Sequence, residues 1–253
     1  SHFWKLKPTE ELYDLSTDPD EVNNLAESPA HQDKLKELRK AQQDWCRRIR
    51  DLGFLPEGEI HSRSAGSTPR EMGKDNSKYP YDRIFAAADL ATMRGADQLA
   101  AVKKLLKDPD SAVRYWGAVG ILNRGTAAVK ASEKELLAAL QDDSSYVRIA
   151  AGYAFGKYGA QPQQRKGIDT LVAVAPWKKG SDVFVSMAAL NAIDKLDSKA
   201  GYALETIRGF PTSGGASPDG RYNKYIARIL SKTVQDLSSS KQPSEKKKKR
   251  KKK

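Results

Sequence analysis

The chain has 253 residues, enough for one or two domains, and a formal charge of +12 from 44 Lys and Arg against 32 Asp and Glu. A single cysteine excludes an internal disulfide, and no apolar run approaches the ~20 residues of a membrane-spanning helix. The charge is uneven: residues 1–60 hold 9 cations against 13 anions, residues 61–245 hold 27 against 19, and the last eight residues, KKKKRKKK, are all cationic. The folded part is only mildly basic, which argues against a wholly basic nucleic-acid-binding domain.

In chain order, the first element reads as a short apolar strand, with Leu12, Tyr13 and Leu15 on its face, leading into a turn at Asp18 and Pro19. Pro19 fixes its own φ and biases Asp18 away from helix. Asn23 and Asn24 can bond to nearby backbone, and Leu25 returns to a core. Ser28 as N-cap and Pro29 at the first position predict a helix over residues 29–52, with Gly53 as its stop. Leu35, Leu38, Ala41, Trp45, Ile49 and Leu52 recur at helical spacing and form its apolar face.

The string EELYDLSTDPDEVNNLA, residues 10–26, resembles the end of the bacterial sulfatase family, alkaline-phosphatase-like hydrolases of sulfate esters and sulfamates. The matching pieces are Glu10 to Leu15, Asp18 with Pro19, Glu21, and Asn24 with Leu25. The likeness continues through Trp45 and DLGFLPEGE, residues 51–59, and so covers roughly the first quarter of the chain. It implies a small α+β C-terminal subdomain over residues 1–55. In the parent protein it implies a formylglycine, a Ca2+ or Mg2+ ion, and a periplasmic or exported location.

The family's nucleophile arises from Cys or Ser, with Pro two residues on and Arg four residues on. Cys46 has Arg50 in the fourth place but Arg48 where Pro belongs, and it lies mid-helix. Ser67 has Pro69 in place, but Arg70 comes one residue early. The acidic cluster that would hold the ion normally precedes this region, and such an ion wants several converging carboxylate oxygens. No catalytic, cofactor-binding or metal-binding residue is therefore assigned. The chain opens SHFWKL without an initiating Met, and is expected to be the non-catalytic end of a longer sulfatase-like protein, joined to its catalytic domain.

Residues 56–79 are polar, broken by Gly and Pro and without periodicity, so they are expected to be a linker. Residues 80–237 are helical and repetitive. DPDSAVRYWGAVGIL from Asp108 and DDSSYVRIAAGYAFG from Asp142 superpose at an offset of 34 residues, which sets Val113 on Val147 and Arg114 on Arg148. GSDVFVSMAALNAI is a weaker copy at an offset of 38, and DRIFAAADLATMR a leading partial one. The complementary helices lie in QLAAVKKLLKD, EKELLAALQDD and GIDTLVAVAPW. Such periods in paired helices predict a mainly α fold, an α-solenoid. The motif Asp110, Val113, Arg114 resembles HEAT-type repeats. Asp or Ser would cap the second helix of each pair, Val would face its neighbour, and Arg would reach the turn of an adjacent repeat. Because each repeat needs only its neighbours, the array is expected to survive removal of everything before Tyr79.

FPTSGGASPDG reads as a loop, and residues 221–237 as a closing helix with Tyr222, Tyr225, Ile226, Ile229, Leu230, Val234 and Leu237 on one stripe. Residues 238–253 form a Lys-rich tail without the composition for order. Lys246, Lys247, Lys248, Lys249, Arg250, Lys251, Lys252 and Lys253 would either contact polyanions or serve as a solvated block. His2, His31 and His61 have no metal-ligand spacing. Trp116, Tyr146, Tyr153, Phe155 and Tyr158 occupy helical repeat positions and are read as core, and Arg114 and Arg148 as structural. Two rival readings are a free-standing HEAT-like scaffold and a polyanion-binding protein led by its tail.

Overall fold

The computed structural model describes residues 8–93 and 95–240. The chain divides into two compact units, residues 1–51 and 52–253. Among the described residues there are thirteen α-helices and no named strand, and no helix is long and apolar enough to cross a membrane.

The first unit corrects the expected α+β subdomain, since no strand forms among its described residues. The reason is local. The Asn24 carboxamide does the pairing that a second strand would do: its Oδ1 accepts the Leu12 and Ala26 N–H groups at 2.9 and 3.0 Å, and its Nδ2 donates to the Glu10 carbonyl at 3.2 Å. A backbone bond from Leu25 N–H to the Leu12 carbonyl, at 2.7 Å, completes this clasp. The Asp18 carboxylate accepts the Val22 and Asn23 N–H groups at 3.1 and 2.8 Å, holding a turn in which Glu21 takes φ 54°. Asp14 does the same on a smaller scale for Ser16.

Helix α1 (Gln32–Ile49) starts later than predicted. Ser28 Oγ meets His31 Nδ1 at 2.9 Å instead of capping, and Pro29–His31 form one 3₁₀ turn. The helix ends at Arg50, in the left-handed region at φ 55°, before the expected stop at Gly53. Leu35 and Cys46 are buried, whereas Leu38, Trp45 and Ile49 are exposed by about half. Glu10 is tied to α1 by two bonds of 2.7 Å from Arg39, which hold its carboxyl below the usual range.

The second unit begins earlier than expected, because residues 56–79 are folded and not a linker. They contain α2 (Glu57–Arg63) and α3 (Pro69–Lys74), and they bury Gly58, Glu59, Met72, Gly73 and Tyr79. The start of α3 is a capping box: Thr68 Oγ1 accepts the Glu71 N–H at 3.2 Å, and Glu71 accepts the Thr68 N–H at 3.0 Å. STPRE, the near-miss for a nucleophile motif, is thus a helix start.

There follow α4 (Tyr81–Thr92), α5 (Leu99–Leu105), α6 (Ser111–Asn123), α7 (Gly125–Ala131), α8 (Glu133–Ala139), α9 (Ser145–Tyr158), α10 (Gln163–Val174), α11 (Val183–Asp194), α12 (Leu204–Arg208) and α13 (Asn223–Ser240). Helices α4, α6, α9, α11 and α13 pack in that order, each on its predecessor; α5 lies on α6, and α10 on both α9 and α11. Helix α7 was not foreseen, and α13 starts and ends a little beyond the expected 221–237. Helices α9 and α10 approach closely, since a Cβ on Gly152 would stand 2.9 Å from the Gly167 carbonyl oxygen. Val113, Val147, Ala154, Phe155, Leu171, Leu190 and Ile193 are almost wholly buried.

Candidate functional site

The polar centre of the second unit is built by α2 lying across the starts of α6, α9 and α11. Those starts present capping groups at regular spacing. Asp110 accepts the Ala112 N–H at 2.8 Å at the head of α6, and Asp182 accepts the Phe184 and Val185 N–H groups at 2.8 and 3.2 Å at the head of α11. Ser144, at the head of α9, makes no capping bond; its hydroxyl instead lies 3.4 Å from Glu59.

Glu59 and Arg63 sit one helical turn apart on α2 and work as a pair. Arg63 donates to Glu59 at 2.6 and 3.0 Å, to both Asp110 oxygens at 2.9 Å, and to Ser111 Oγ at 2.9 Å. Ser111 Oγ in turn donates to Glu59 at 2.9 Å. Gly58 N–H donates to the Tyr146 hydroxyl at 3.1 Å, and any side chain at Gly58 would collide with that oxygen. His61 stacks on Phe184 with ring centroids 5.0 Å apart, and Trp116 Nε1 donates to the Phe54 carbonyl at 2.8 Å. Burial pushes the Asp110 carboxyl up, but Arg63 outweighs it and holds the group below its ordinary range. Burial pushes the Tyr146 phenol up, with Asp182 adding to the effect, so it stays neutral.

Next to this clasp, Arg114 bridges to Asp142 at 2.7 and 2.8 Å. Burial pushes Asp142 up, while Arg114 and the Ser144 N–H bring it below the usual carboxylate range. The cleft between these groups is about 530 Å³ and is lined by paired charges and helix heads. Beside it runs a groove of about 430 Å³ along α6, α9 and α11, with Pro56 and Glu57 on its lining. Val119, Ile149, Ala150 and Ala188 give it an apolar lining, and Tyr115, Tyr153, Asn191 and Lys195 line it as well.

The sequence-predicted residues fall as follows. Arg114 reaches Asp142 of the next repeat, as expected, whereas Arg148 bonds within its own turn, to the Asp142 and Asp143 carbonyls and Ser145. Phe155 is core. Tyr146 is buried in the core, as read, and its hydroxyl also joins the clasp; Tyr153 is partly buried against the core and also lines the groove. His31 pairs with Ser28, while His2 and Lys246 to Lys253 lie outside the described residues. Sequence reasoning missed Gly58, Glu59 and Arg63 because they lie in the supposed linker. The signal was present: EIHSR places Glu59 and Arg63 at i, i+4 spacing, and the capping box follows.

The described residues do not fit the ion and formylglycine that the resemblance implies. Glu59, Asp110 and Asp142 are each engaged by a guanidinium, and no three His, Cys, Asp or Glu among the described residues could hold a metal ion. Cys46 is buried in α1 with Gln42 Nε2 at 3.1 Å, and burial pushes its thiol up, so it stays protonated.

No known protein-family profile matches the chain. A stretch of 58 residues, 23% of the chain, is 48% identical to an ulvan-active sulfatase of Formosa agariphila. The match spans 10% of that protein's length. The chain thus contains a sulfatase-related region, and the relation extends over about a quarter of it.

Proposed function

We propose that this chain supplies the terminal subdomain of a sulfatase followed by a HEAT-like array of helix pairs, and that it serves packing or partner binding and not catalysis. The observation that carries the reading is the 48% identity over 58 residues, taken with the EELYDL string at residues 10–15. The parent protein would use a formylglycine and Ca2+ or Mg2+ in a catalytic domain preceding this region. Its substrate would be a sulfated glycan, of which ulvan is the first to try because the relative's name gives it. A periplasmic or exported location goes with that substrate.

The repeat part of the reading is supported by matching contacts one period apart. Arg114 Nη1 donates to the carbonyls of Asp108 and Pro109, and Arg148 Nη1 to those of Asp142 and Asp143, which are the same places 34 residues on. Val113 and Val147 are both buried at the matching position. The Lys246–Lys253 block adds a sequence-blind attraction for polyanions, with a log–log salt slope on duplex DNA no steeper than about −7.

The test expresses this chain and the longest open reading frame that contains it, and assays both for sulfate release from ulvan and from an aryl sulfate with calcium present. Release by the longer protein and none by this chain is the expected result. Release by this chain that Cys46→Ala abolishes would overturn it. So would an upstream sequence without the Cys or Ser, Pro and Arg spacing.

A further inference from the structure

The groove along α6, α9 and α11 shares Tyr146 with the clasp but otherwise lies beside it. Its lining combines apolar surface with polar groups that have no partner. Asn191 and Lys195 are exposed, and their side chains make no hydrogen bond or ion pair among the described residues. The hydroxyls of the half-buried Tyr115 and Tyr153 are likewise unpaired there. Lys157, one turn on from Tyr153, sets its ammonium 5.7 Å from the Tyr153 ring centre and 5.2 Å from that of Tyr158. An apolar helix laid here would strand these polar heads, at a desolvation cost for each. A sugar would not: a pyranose ring has C–H faces that rest on aromatic side chains and a rim of hydroxyls that satisfies amide, phenol and ammonium groups. The lysines favour a sugar that carries an acid. At about 430 Å³ the space is in the range of small-ligand sites.

We propose that this groove is a binding subsite for an anionic oligosaccharide, with its rings against Tyr115 and Tyr153 and its sulfate or carboxylate meeting Lys195 and Lys157. Only the choice of ulvan as the source of that saccharide rests on the sulfatase reading.

The experiment titrates the full chain with size-defined sulfated ulvan oligosaccharides, and with the same oligosaccharides chemically desulfated, at about 0.15 M salt, which weakens the long-range pull of the tail. Calorimetry gives affinity, and saturation-transfer NMR reports contact with ring C–H protons. Lys195→Glu and Tyr153→Ala should each weaken the sulfated ligand by about tenfold. Desulfation should do the same for the unaltered chain, and Lys130→Glu, outside the groove, should change nothing. Circular dichroism checks each fold. Should Tyr153→Ala unfold, Ala188→Trp fills the groove and should abolish binding. Unaltered affinity in Lys195→Glu and in the folded groove variant would overturn the proposal, leaving the tail as the site. Groove-dependent binding of an amphipathic helical peptide, without saccharide binding, would overturn it in favour of a protein partner. Groove binding with no sulfate release from the longer protein would sink the sulfatase reading alone. Sulfate release with intact binding in the groove variants would sink the subsite alone.

Discussion

The two units of this chain are held together in different ways. The first, as far as it is described, is a set of side-chain clasps: Asn24, Asp14 and Asp18 bond to nearby backbone, and Glu10 pairs with Arg39 in partial contact with water. Leu15, Val22, Leu38, Trp45 and Ile49 remain exposed there. The second buries two apolar clusters and holds Glu59, Arg63 and Asp110 in a clasp with side chains 15% exposed or less. A polar bond that water can replace contributes little net stability, whereas burial and desolvated pairing make removal of one partner costly. The second unit should therefore respond to single changes far more than the first.

The largest effect is expected from removing residues 52–78. A chain starting at Tyr79 should lose at least about 5 kcal/mol against one starting at Leu52, since it lacks Met72, Glu59, Arg63 and the cover over Trp116 and Tyr146. Denaturant melts would check this, and equal midpoints would restore the expectation, drawn from repetition alone, that the array stands without them. Val147→Asp places a charge at a fully buried contact and should cost about 4 kcal/mol, read by the same melts; an unchanged curve would mean the repeat register is wrong.

Acid comes next. Asp110 and Asp142 titrate below their ordinary range in the folded state, so the unfolded chain takes up protons first as pH falls. Their contribution is complete above the unfolded value of about 3.9 and is lost as pH falls through the folded values. Thermal melts from neutral pH to pH 3 should show the decline. Asp110→Asn, which keeps a capping group, should flatten it.

The smallest effects belong to the first unit. Asn24→Ala should raise hydrogen exchange across residues 10–26 and cost about 1 kcal/mol, with α9 unaffected. Arg39→Ala should cost less than that, about 0.5 kcal/mol by chemical melts, because its pair with Glu10 is well hydrated. Large effects from either would erase the contrast between the units.

Much of the second unit was legible from spacing alone. Val113 and Val147 were set in register and are both buried; Asp110 was expected to cap and does; the loop after Phe210 and the helix closing the chain fall close to their predicted places. The strand failed because Asn24 supplies the bonds that a partner strand would supply, and a side chain in that role leaves no periodic trace. The clasp failed for a different reason. Residues 56–79 contain too few large apolar side chains to show a helical stripe, yet α2 is buried mainly through backbone and ion pairs. Its Gly58 is needed for lack of bulk against Tyr146, and Glu59 and Arg63 find their partners only after the chain has folded back. The groove is harder still to foresee, because Tyr115, Tyr153 and Asn191 come from three different helices and share no motif.

The bond from Gly58 to Tyr146 joins positions 88 apart in the sequence. An array of neighbour-to-neighbour contacts has low contact order and can nucleate at any point. A strap spanning that distance changes the kinetics. Residues 57–63 leave the ribosome before α6, α9 and α11, but their seat exists only once those helices have been made and packed. The strap can only close late, and it should appear as a slow final step that shuts the molecule and governs how readily it reopens.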